Sequence, residues 1–280
     1  MTSVTIFANR RRVEERLLEQ ALNERGHTVS LLDPASLAIS LTEPDSTRPR
    51  LAIDTGAATP ERATLAALIG ASGGVVVNRA ATTRLLADRL ALCRHLIVAG
   101  IPVPTTEVAF GERATLTAIE RVGYPAFLLS ASVNPRVPDA VVNDRDAAEA
   151  IVEHRATLGH EQMTLVQEYV SGRTVRLPVV GSSVLTAEIV HYDADGAMRY
   201  EAYPGAPAEL TSLAERVVSR LGSGVYDVKV VEGAAGPIVV KANNLGDFRT
   251  LVEAGIDVAD AVAEFVLRQR ADVEEVDRGD

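Results

Sequence analysis

The stretch GVYDVKVVEGAAGPIVVKANNLGDFRT, residues 224–250, carries the clearest strand pattern of this chain. Apolar and polar residues alternate through 225–231 and again through 237–240, with a Gly-containing turn at 233–236 between them. This period of two predicts a hairpin of two antiparallel β-strands. The hairpin would bring four polar side chains together at one end: Asp227, Lys229, Lys241 and Asn243.

The lysines are the second unusual feature of this stretch. Lys229 and Lys241 are the only lysines among the 28 Lys and Arg residues of the chain. One interpretation is that the genome prefers arginine codons and two lysines remain by chance. The other is that the two ammonium groups, which share a hairpin with a carboxylate, serve a site there. The sequence leaves both interpretations open.

Length and composition limit the class of protein. The chain has 280 residues, 47% of them hydrophobic and 24% charged, which is typical of a globular protein with two or three subdomains. Its net charge of −10 argues against a surface for nucleic acid. The single cysteine, Cys93, excludes a disulfide framework and a cysteine metal site. Without a signal peptide or a membrane-length apolar run, we expect a cytoplasmic protein with no membrane partner.

The front of the chain has the pattern of a parallel α/β domain. A short apolar strand at 3–8 is followed by three arginines, a helix to about residue 25 and a strand at 28–33. A strand, a helix and a strand at this spacing predict a parallel βαβ unit. Further strands at 51–54 and 74–78, with a helix at 60–71, extend the sheet. We therefore expect an α/β front domain over residues 1–82.

The rest of the chain has an α+β pattern. A helix at 82–99 leads through an extended, proline-containing connection to further helices and strands. The predicted helices lie at 112–122, 144–157, 207–221 and 258–269, and the predicted strands at 124–131, 140–142, 163–170, 174–181 and 184–192. We expect a central subdomain at 83–170, a C-terminal subdomain at 171–270 and a frayed acidic tail at 271–280.

Seven motifs, in this order and spacing, carry a family resemblance. They are NRRRVEERLL at 9–18, VVNR at 76–79, AGIPVPTT at 99–106, GYP at 123–125, DRDAAEAIVEH at 144–154, VQEYVSGRTVRLPVVG at 166–181 and AGIDVADAV at 254–262. The chain resembles the ATP-grasp superfamily, and within it the LysX ligases of lysine biosynthesis and the RimK-type glutamate ligases. The resemblance implies a Rossmann-like pre-ATP-grasp domain and two α+β subdomains that clamp a nucleotide. It also implies ATP and Mg²⁺ as cofactors, an acidic carrier protein as a partner, and a dimer or tetramer.

Some site positions of these ligases are kept. The segment Gln167, Glu168, Tyr169 and Val170 resembles the connector that binds adenine through its backbone, with Glu168 placed to hold the ribose. Arg176 matches the arginine that faces the phosphate and acyl site, and we take it as the catalytic candidate. Asp227 and Asn243 keep two metal-ligand positions. The competing interpretations are an exposed strand end at Glu168 and a structural ion pair at Arg176.

Other positions depart from the family. Arg89 replaces one phosphate-contacting lysine, and Leu129 stands where the family has another. The predicted lid at 131–139 contains no glycine and has prolines that cannot donate N–H groups to a phosphate. Lys241 stands where the family has a Mg²⁺-binding glutamate, and the segment 198–210 lacks the Asn-rich substrate loop. A protonated lysine repels a metal ion instead of binding it.

These departures favour a degenerate ATP-grasp protein that acts as a binding or regulatory partner. In a sharper form of this hypothesis, Lys229 and Lys241 replace the charge of the metal and hold an anion. The simpler interpretation is that Lys241 only neutralises Asp227. An active carboxylate–amine ligase is the alternative, with Arg89, Arg136 and Arg176 in place of the lost lysine. A third hypothesis is a subunit that associates with an active paralogue.

Overall fold

A computed structural model of the chain describes residues 3–42, 49–131, 138–158, 163–193 and 197–276. Most of the predicted lid, including Arg136, lies outside the described residues, as does the end of the predicted acidic tail. Within the described ranges the chain forms three β-sheets flanked by helices. No helix in these ranges is both long and apolar enough to cross a membrane.

The front domain is built on a four-stranded parallel sheet. Its strands are β1 (Ser3–Phe7), β2 (Thr28–Leu32), β3 (Leu51–Asp54) and β4 (Val75–Val77), in the spatial order β2-β1-β3-β4. Helices α1 (Val13–Glu24) and α2 (Pro60–Ala71) connect them. The side chain of Thr59 caps α2 by accepting a hydrogen bond from the backbone N–H of Arg62, and Pro60 occupies the first turn. The predicted parallel βαβ arrangement is confirmed.

The predicted helix at 82–99 is wrong as a single element, because it is interrupted at Asp88. The structure has α3 (Ala80–Ala87) and α4 (Arg89–Val98), and Asp88 between them has an extended backbone. The carboxylate of Asp88 accepts a hydrogen bond from the backbone N–H of Ala91 and caps α4. The backbone N–H of Arg89 donates to the carbonyl of Ala131. An N-cap and a tertiary hydrogen bond therefore outweigh the continuous helical pattern.

The central subdomain has an antiparallel sheet. Its strands are β5 (Thr106–Phe110), β6 (Ala126–Ser130), β7 (Ala140–Val142) and β8 (Met163–Glu168), in the order β5-β8-β6-β7. Helices α5 (Glu112–Val122) and α6 (Arg145–Thr157) pack on it through a buried cluster that includes Ile119, Leu128 and Val166. The sequence pattern did not predict β5, because the prolines before it indicated only a connection.

The C-terminal subdomain has a six-stranded antiparallel sheet. Its strands are β9 (Arg173–Gly181), β10 (Ser183–Val184), β11 (Glu188–Tyr192), β12 (Met198–Ala202), β13 (Gly224–Gly233) and β14 (Gly236–Asn244). The order is β12-β11-β9-β13-β14, with β10 paired to β9. The single strand predicted at 184–192 is wrong, since the chain leaves the sheet between β10 and β11.

Three helices complete this subdomain. Helix α7 (Ala208–Leu221) packs on the sheet through buried Leu210, Val217 and Leu221. Helix α8 (Arg249–Glu253) precedes α9 (Val258–Val276), which continues past the predicted end at 269. Helix α9 thus extends into the predicted acidic tail as far as residue 276.

The predicted hairpin is confirmed as β13 and β14. In its register Asp227 lies opposite Asn243 and Lys229 lies opposite Lys241, with a β-bulge directly after Lys229. On the other side of β13, Lys229 lies opposite Arg176 of β9. Side chains of directly opposed residues share one face of a sheet, so the chain collects these charged groups on a single surface.

Candidate functional site

A cavity of about 380 Å³ lies between the front domain and the hairpin. Its front wall is formed by Arg10, Arg12, Thr55, Gly56 and Arg62, and its hairpin wall by Asp227, Lys229, Lys241 and Asn243. Tyr200 of β12 and Asp247 also line it. A cavity of this size admits a small molecule. The hairpin residues that the sequence singled out are thus gathered at one concave site.

Arg176 lies beneath the hairpin wall, with its side chain fully buried. Its Nη1 donates to Glu188 Oε2 at 3.1 Å, and its Nε lies 3.1 Å from Asp227 Oδ2. Its Nη2 donates to the backbone carbonyl of Asp247, and its guanidinium lies 4.4 Å from the ring centroid of Tyr200. Burial raises the pKa of Glu188 and outweighs the opposing effect of Arg176. The catalytic candidate is therefore held within the protein by two carboxylates and a carbonyl.

Lys229 has very different surroundings, although it lies next to Arg176 in the sheet. It is 5% exposed, and its Nζ lies 3.1 Å from Met198 Sδ and 5.8 Å from the ring centroid of Tyr200. Among the described residues no carboxylate lies within ion-pair distance of Nζ. Burial lowers the pKa of Lys229, and the nearby Asp227 opposes this while Lys241 adds to it. A buried ammonium without a carboxylate is costly unless it is neutral or a ligand supplies the charge.

The two kept metal-ligand positions do not fit Mg²⁺. Asp227 Oδ2 contacts Arg176. The side-chain amide oxygen of Asn243 accepts hydrogen bonds from the backbone N–H groups of Ala58 and Asn244 at 2.9 and 2.8 Å. Lys241, which is exposed, occupies the third position, two residues before Asn243 on the same strand and opposite Lys229. In the described part of the chain no cluster of three or more His, Cys, Asp or Glu residues could hold a metal ion. Asp227 Oδ1 has no hydrogen-bond partner among the described residues, but one free oxygen is fewer than Mg²⁺ requires.

The front wall carries arginines that are already paired with carboxylates. Arg12 Nη2 lies 2.6 Å from Oε1 of the fully buried Glu15, which also accepts a hydrogen bond from Thr55. Arg62 Nη1 lies 2.5 Å from Asp54 Oδ1. Burial raises the pKa of Asp54 to about 6, against the opposing effect of Arg62. These ion pairs fix the shape of the wall.

Arg10 is exposed, lines the cavity and has no ion pair among the described residues. None of the front-wall arginines was predicted from the sequence as a site residue. A signal for them existed, because Arg10 and Arg12 lie in the short segment between the end of β1 and the start of α1. The carboxyl ends of parallel strands are where ligands bind in open α/β sheets.

The predicted nucleotide positions lie away from this cavity. Arg89 makes a bidentate ion pair with Asp139, with N–O distances of 2.6 and 2.9 Å. Leu129 is half-buried on β6, where it lies opposite Leu165 of β8. The structure therefore places a carboxylate on one of the two expected phosphate cations and an apolar side chain at the other.

The predicted adenine connector lies at the end of β8. Gln167 Nε2 donates to Thr106 Oγ1 at 3.0 Å, and Glu168 Oε2 accepts from the backbone N–H of Thr105 at 3.2 Å. Tyr169 is 44% exposed and stacks on Phe127, with ring centroids 5.4 Å apart. The next residue, Val170, is half-buried. The carboxylate expected to hold the ribose has a hydrogen-bond partner within the protein.

Two protein-family models match this chain and identify its family. The LysX preATP-grasp domain model matches residues 4–85, and the RimK-like ATP-grasp domain model matches residues 86–266. The chain belongs to the RimK-like ATP-grasp family. The expected family and the expected fold, with its pre-ATP-grasp domain, are therefore confirmed.

Two relatives of this chain are named as ligases. A probable alpha-L-glutamate ligase from an Enterobacter species is 26% identical over 277 residues, which cover 91% of each chain. The glutamate–LysW ligase ArgX of Sulfolobus acidocaldarius is 26% identical over 218 residues, covering 73% of this chain and 77% of ArgX. A crystal structure of a RimK domain ATP-grasp protein from Sphaerobacter thermophilus is 53% identical, with a TM-score of 0.89, covering 95% of this chain and 99% of that one. ATP-grasp ligases in general use ATP and Mg²⁺.

Proposed function

We propose that this RimK-like ATP-grasp protein binds a small anion in its cavity without Mg²⁺, and acts as a binding or regulatory protein instead of an ordinary ligase. The observation that carries the proposal is the pairing of Lys229 and Lys241 across the hairpin, where the family resemblance implies a metal-binding carboxylate at 241. Two ammonium groups on one face repel a divalent cation and attract an anion.

The surroundings of the lysines support the same proposal. Arg176 and Glu188 form a buried ion pair that also engages Asp227, so the carboxylate nearest the lysines is partly neutralised. The amide oxygen of Asn243 is occupied by two backbone N–H donors. The local charge at the cavity surface is therefore positive, although the whole chain carries a net charge of −10.

The nucleotide side of the fold also supports a changed activity. Phosphoryl transfer depends on cations that neutralise the transferred phosphate. Leu129 supplies none, and the guanidinium of Arg89 is engaged by both oxygens of Asp139. A ligase reaction would require Arg89 to leave this bidentate pair.

An active carboxylate–amine ligase is the second candidate function. It is favoured by the match to probable glutamate ligases over 91% of this chain. Under this proposal Arg89 would exchange Asp139 for the nucleotide phosphates, and Arg176 would act at the acyl site. The two proposals differ in their requirement for Mg²⁺.

Isothermal titration with ATP and ADP, with and without Mg²⁺, tests the proposal directly. We expect no Mg²⁺-dependent nucleotide binding by the natural sequence. We expect inorganic phosphate to bind, and to lose affinity in the Lys229→Met, Lys241→Met double variant. Tight binding of ATP that depends on Mg²⁺ would overturn the proposal and support the ligase.

A charge-reversal variant sharpens this test. Lys241→Glu restores the carboxylate that the family resemblance implies, next to Asp227 and Asn243. If the metal site was lost through this position, the variant should gain Mg²⁺ binding and lose phosphate binding. Lys241→Gln is the matched control, because it removes the cation without adding a carboxylate. Unchanged phosphate binding in Lys241→Glu would contradict the proposed anion site.

The proposed partners are an acidic carrier protein or an active paralogue, and the proposed assembly is a dimer or tetramer. Mass measured over a range of protein concentrations tests the assembly. Co-purification with a paralogue separates a partner subunit from a protein that acts alone.

A further inference from the structure

Three consecutive arginines follow β1, and they differ in their partners. Arg11 pairs with Glu19 on α1, and Arg12 pairs with the buried Glu15. Arg10 is exposed, lines the cavity and has no ion pair within the described ranges. Its guanidinium is a planar fork that fits the two oxygens of a carboxylate. The front domain therefore presents an unpaired carboxylate-binding group to the cavity.

A second unpaired cation lines the hairpin wall of the same cavity. Lys241 on β14 is exposed and, in the part of the chain that the structure describes, has no ion pair. It belongs to the C-terminal subdomain, whereas Arg10 belongs to the front domain. Cations on two walls of one cavity attract a ligand with an anionic group at each end more strongly than a ligand with one.

The carboxylates of the cavity are already close to protein cations. Asp227 and Asp247 both line it. Asp227 Oδ2 contacts Arg176, and the carboxylate of Asp247 interacts electrostatically with Arg12 and Lys229. An ammonium group on a ligand would compete with these side chains and would be repelled by Arg10 and Lys241. The cavity therefore favours an anion that carries no ammonium group.

We infer that the cavity binds a small dicarboxylate without an amino group, with one carboxylate on Arg10 and the other on Lys241. This inference rests on the proposed function, because the second carboxylate would occupy the proposed anion site. The cavity volume of about 380 Å³ lies near the lower end of the range for small-molecule sites, about 300–1,000 Å³. A ligand of this kind would connect the front domain to the C-terminal subdomain.

Matched ligands test the chemical class. The full chain is titrated calorimetrically at pH 7 with succinate, glutarate, L-glutamate and butyrate. Glutarate and L-glutamate are diacids of the same length that differ in the amino group, and butyrate has a single carboxylate. We expect glutarate or succinate to bind about tenfold more tightly than L-glutamate and butyrate, the equivalent of about 1.4 kcal/mol.

Three results would overturn the inference. L-Glutamate that binds as tightly as glutarate would contradict the exclusion of an amino group. Butyrate that binds as tightly as the diacids would contradict a site with two ends. Absence of binding by both diacids would contradict the dicarboxylate altogether.

Single variants test the two ends of the site. Arg10→Met and Lys241→Met should each weaken diacid binding about tenfold, and the double variant about a hundredfold, because the two contacts are separate. Arg11→Met is the matched control, since the adjacent Arg11 pairs with Glu19 and does not line the cavity. It should leave the affinity unchanged. An unchanged diacid affinity in Arg10→Met would overturn the role of the front wall. Far-UV circular dichroism establishes that the variants are folded.

The outcome for this inference is distinguishable from the outcome for the proposed function. Inorganic phosphate is expected at the two lysines, so its affinity should not change in Arg10→Met. Phosphate binding without diacid binding would overturn only the dicarboxylate. Diacid binding that depends on Arg10, without phosphate binding, would support the dicarboxylate and contradict the phosphate expectation of the proposed function. Absence of binding by phosphate and both diacids would overturn both.

Discussion

The two walls of the cavity differ in their ion pairs, although the front wall also carries Arg10, which has no ion pair among the described residues. On the front wall, Arg12 and Arg62 each have a carboxylate partner close by, at 2.6 and 2.5 Å. On the hairpin wall, Lys229 and Lys241 have no such partner within the described residues, and Asp227 contacts Arg176 instead. The paired cations therefore hold the cavity in shape, while the unpaired ones, which include Arg10 of the front wall, are available to a ligand.

Among changes to the residues around the cavity, removal of Arg176 should lower the unfolding free energy most. In Arg176→Met the buried carboxylate of Glu188 and the partly buried carboxylate of Asp227 lose their partner, which costs about 3–5 kcal/mol of unfolding free energy. Urea denaturation measures this loss. Arg173→Met is the matched control on the same strand, because the half-exposed Arg173 pairs with Glu232 at 3.4 Å and should cost at most about 1 kcal/mol. Equal losses in the two variants would contradict a structural role for Arg176.

The front-wall carboxyl groups should make the unfolding free energy of the protein depend on pH. Because the pKa of Asp54 is raised to about 6, the folded protein keeps a proton that the unfolded chain releases. Stability therefore falls as the pH rises from about 4 to about 6, by roughly 3 kcal/mol at about 1.4 kcal/mol per pKa unit. In Asp54→Asn this fall should disappear from the stability measured by urea at each pH.

The control for Asp54→Asn is a variant that should change the slope of stability against pH in the opposite direction. Arg199 lowers the pKa of the exposed Asp193, so stability from this pair is lost as the pH falls. The variant Asp193→Asn should therefore change the slope of stability against pH in the opposite direction. If Asp54→Asn left the slope between pH 4 and 6 unchanged, the carboxyl of Asp54 would not keep its proton in this pH range in the folded protein.

Asn243 joins the two walls through hydrogen bonds. Its truncation should lower the unfolding free energy by less than the changes described above. Its amide oxygen accepts the backbone N–H of Ala58 from the front domain and that of Asn244. In Asn243→Ala both donors lose their partner, and we expect a loss of about 2 kcal/mol in urea denaturation. Asn243→Asp keeps an oxygen acceptor at the same position and should recover most of this stability. A metal-ligand role alone would predict no loss in either variant without Mg²⁺.

The hairpin was predictable from the sequence because its information is local. Alternating apolar residues and a glycine-containing turn predict both strands and place Lys229 near Lys241, as the register shows. The same local signals identify most other elements. They fail where tertiary contacts decide, as at Asp88, where an N-cap divides a continuous helical pattern.

The partners of the site residues were not predictable. The contact between Arg176 and Asp227 depends on β9 lying beside β13, and an antiparallel sheet order of this kind leaves no mark in either strand. The burial of Lys229 likewise depends on Met198 and Tyr200 of β12, which is separated from β13 by two strands. Residue type indicated the chemistry available at the cavity, but only the packing distinguishes a paired cation from an unpaired one.

The smallest expected effect tests the hairpin wall itself. Lys229→Met replaces a buried amine by an apolar side chain of similar length, and we expect a gain of about 1 kcal/mol in unfolding free energy at pH 7. Because the pKa of Lys229 is lowered, the natural chain becomes more stable as the pH rises toward the ordinary lysine value. The advantage of the variant should therefore shrink in the same direction.

Lys241→Met is the matched control for this last measurement. Lys241 is exposed, so the change should alter stability by no more than about 0.5 kcal/mol at any pH. A loss of stability in Lys229→Met would mean that Lys229 is held by a stabilising partner, and the two walls of the cavity would then not differ. A gain confined to Lys229 would instead show that the chain keeps an unfavourable amine beside the cavity, as expected of a residue retained for binding or chemistry at the expense of stability.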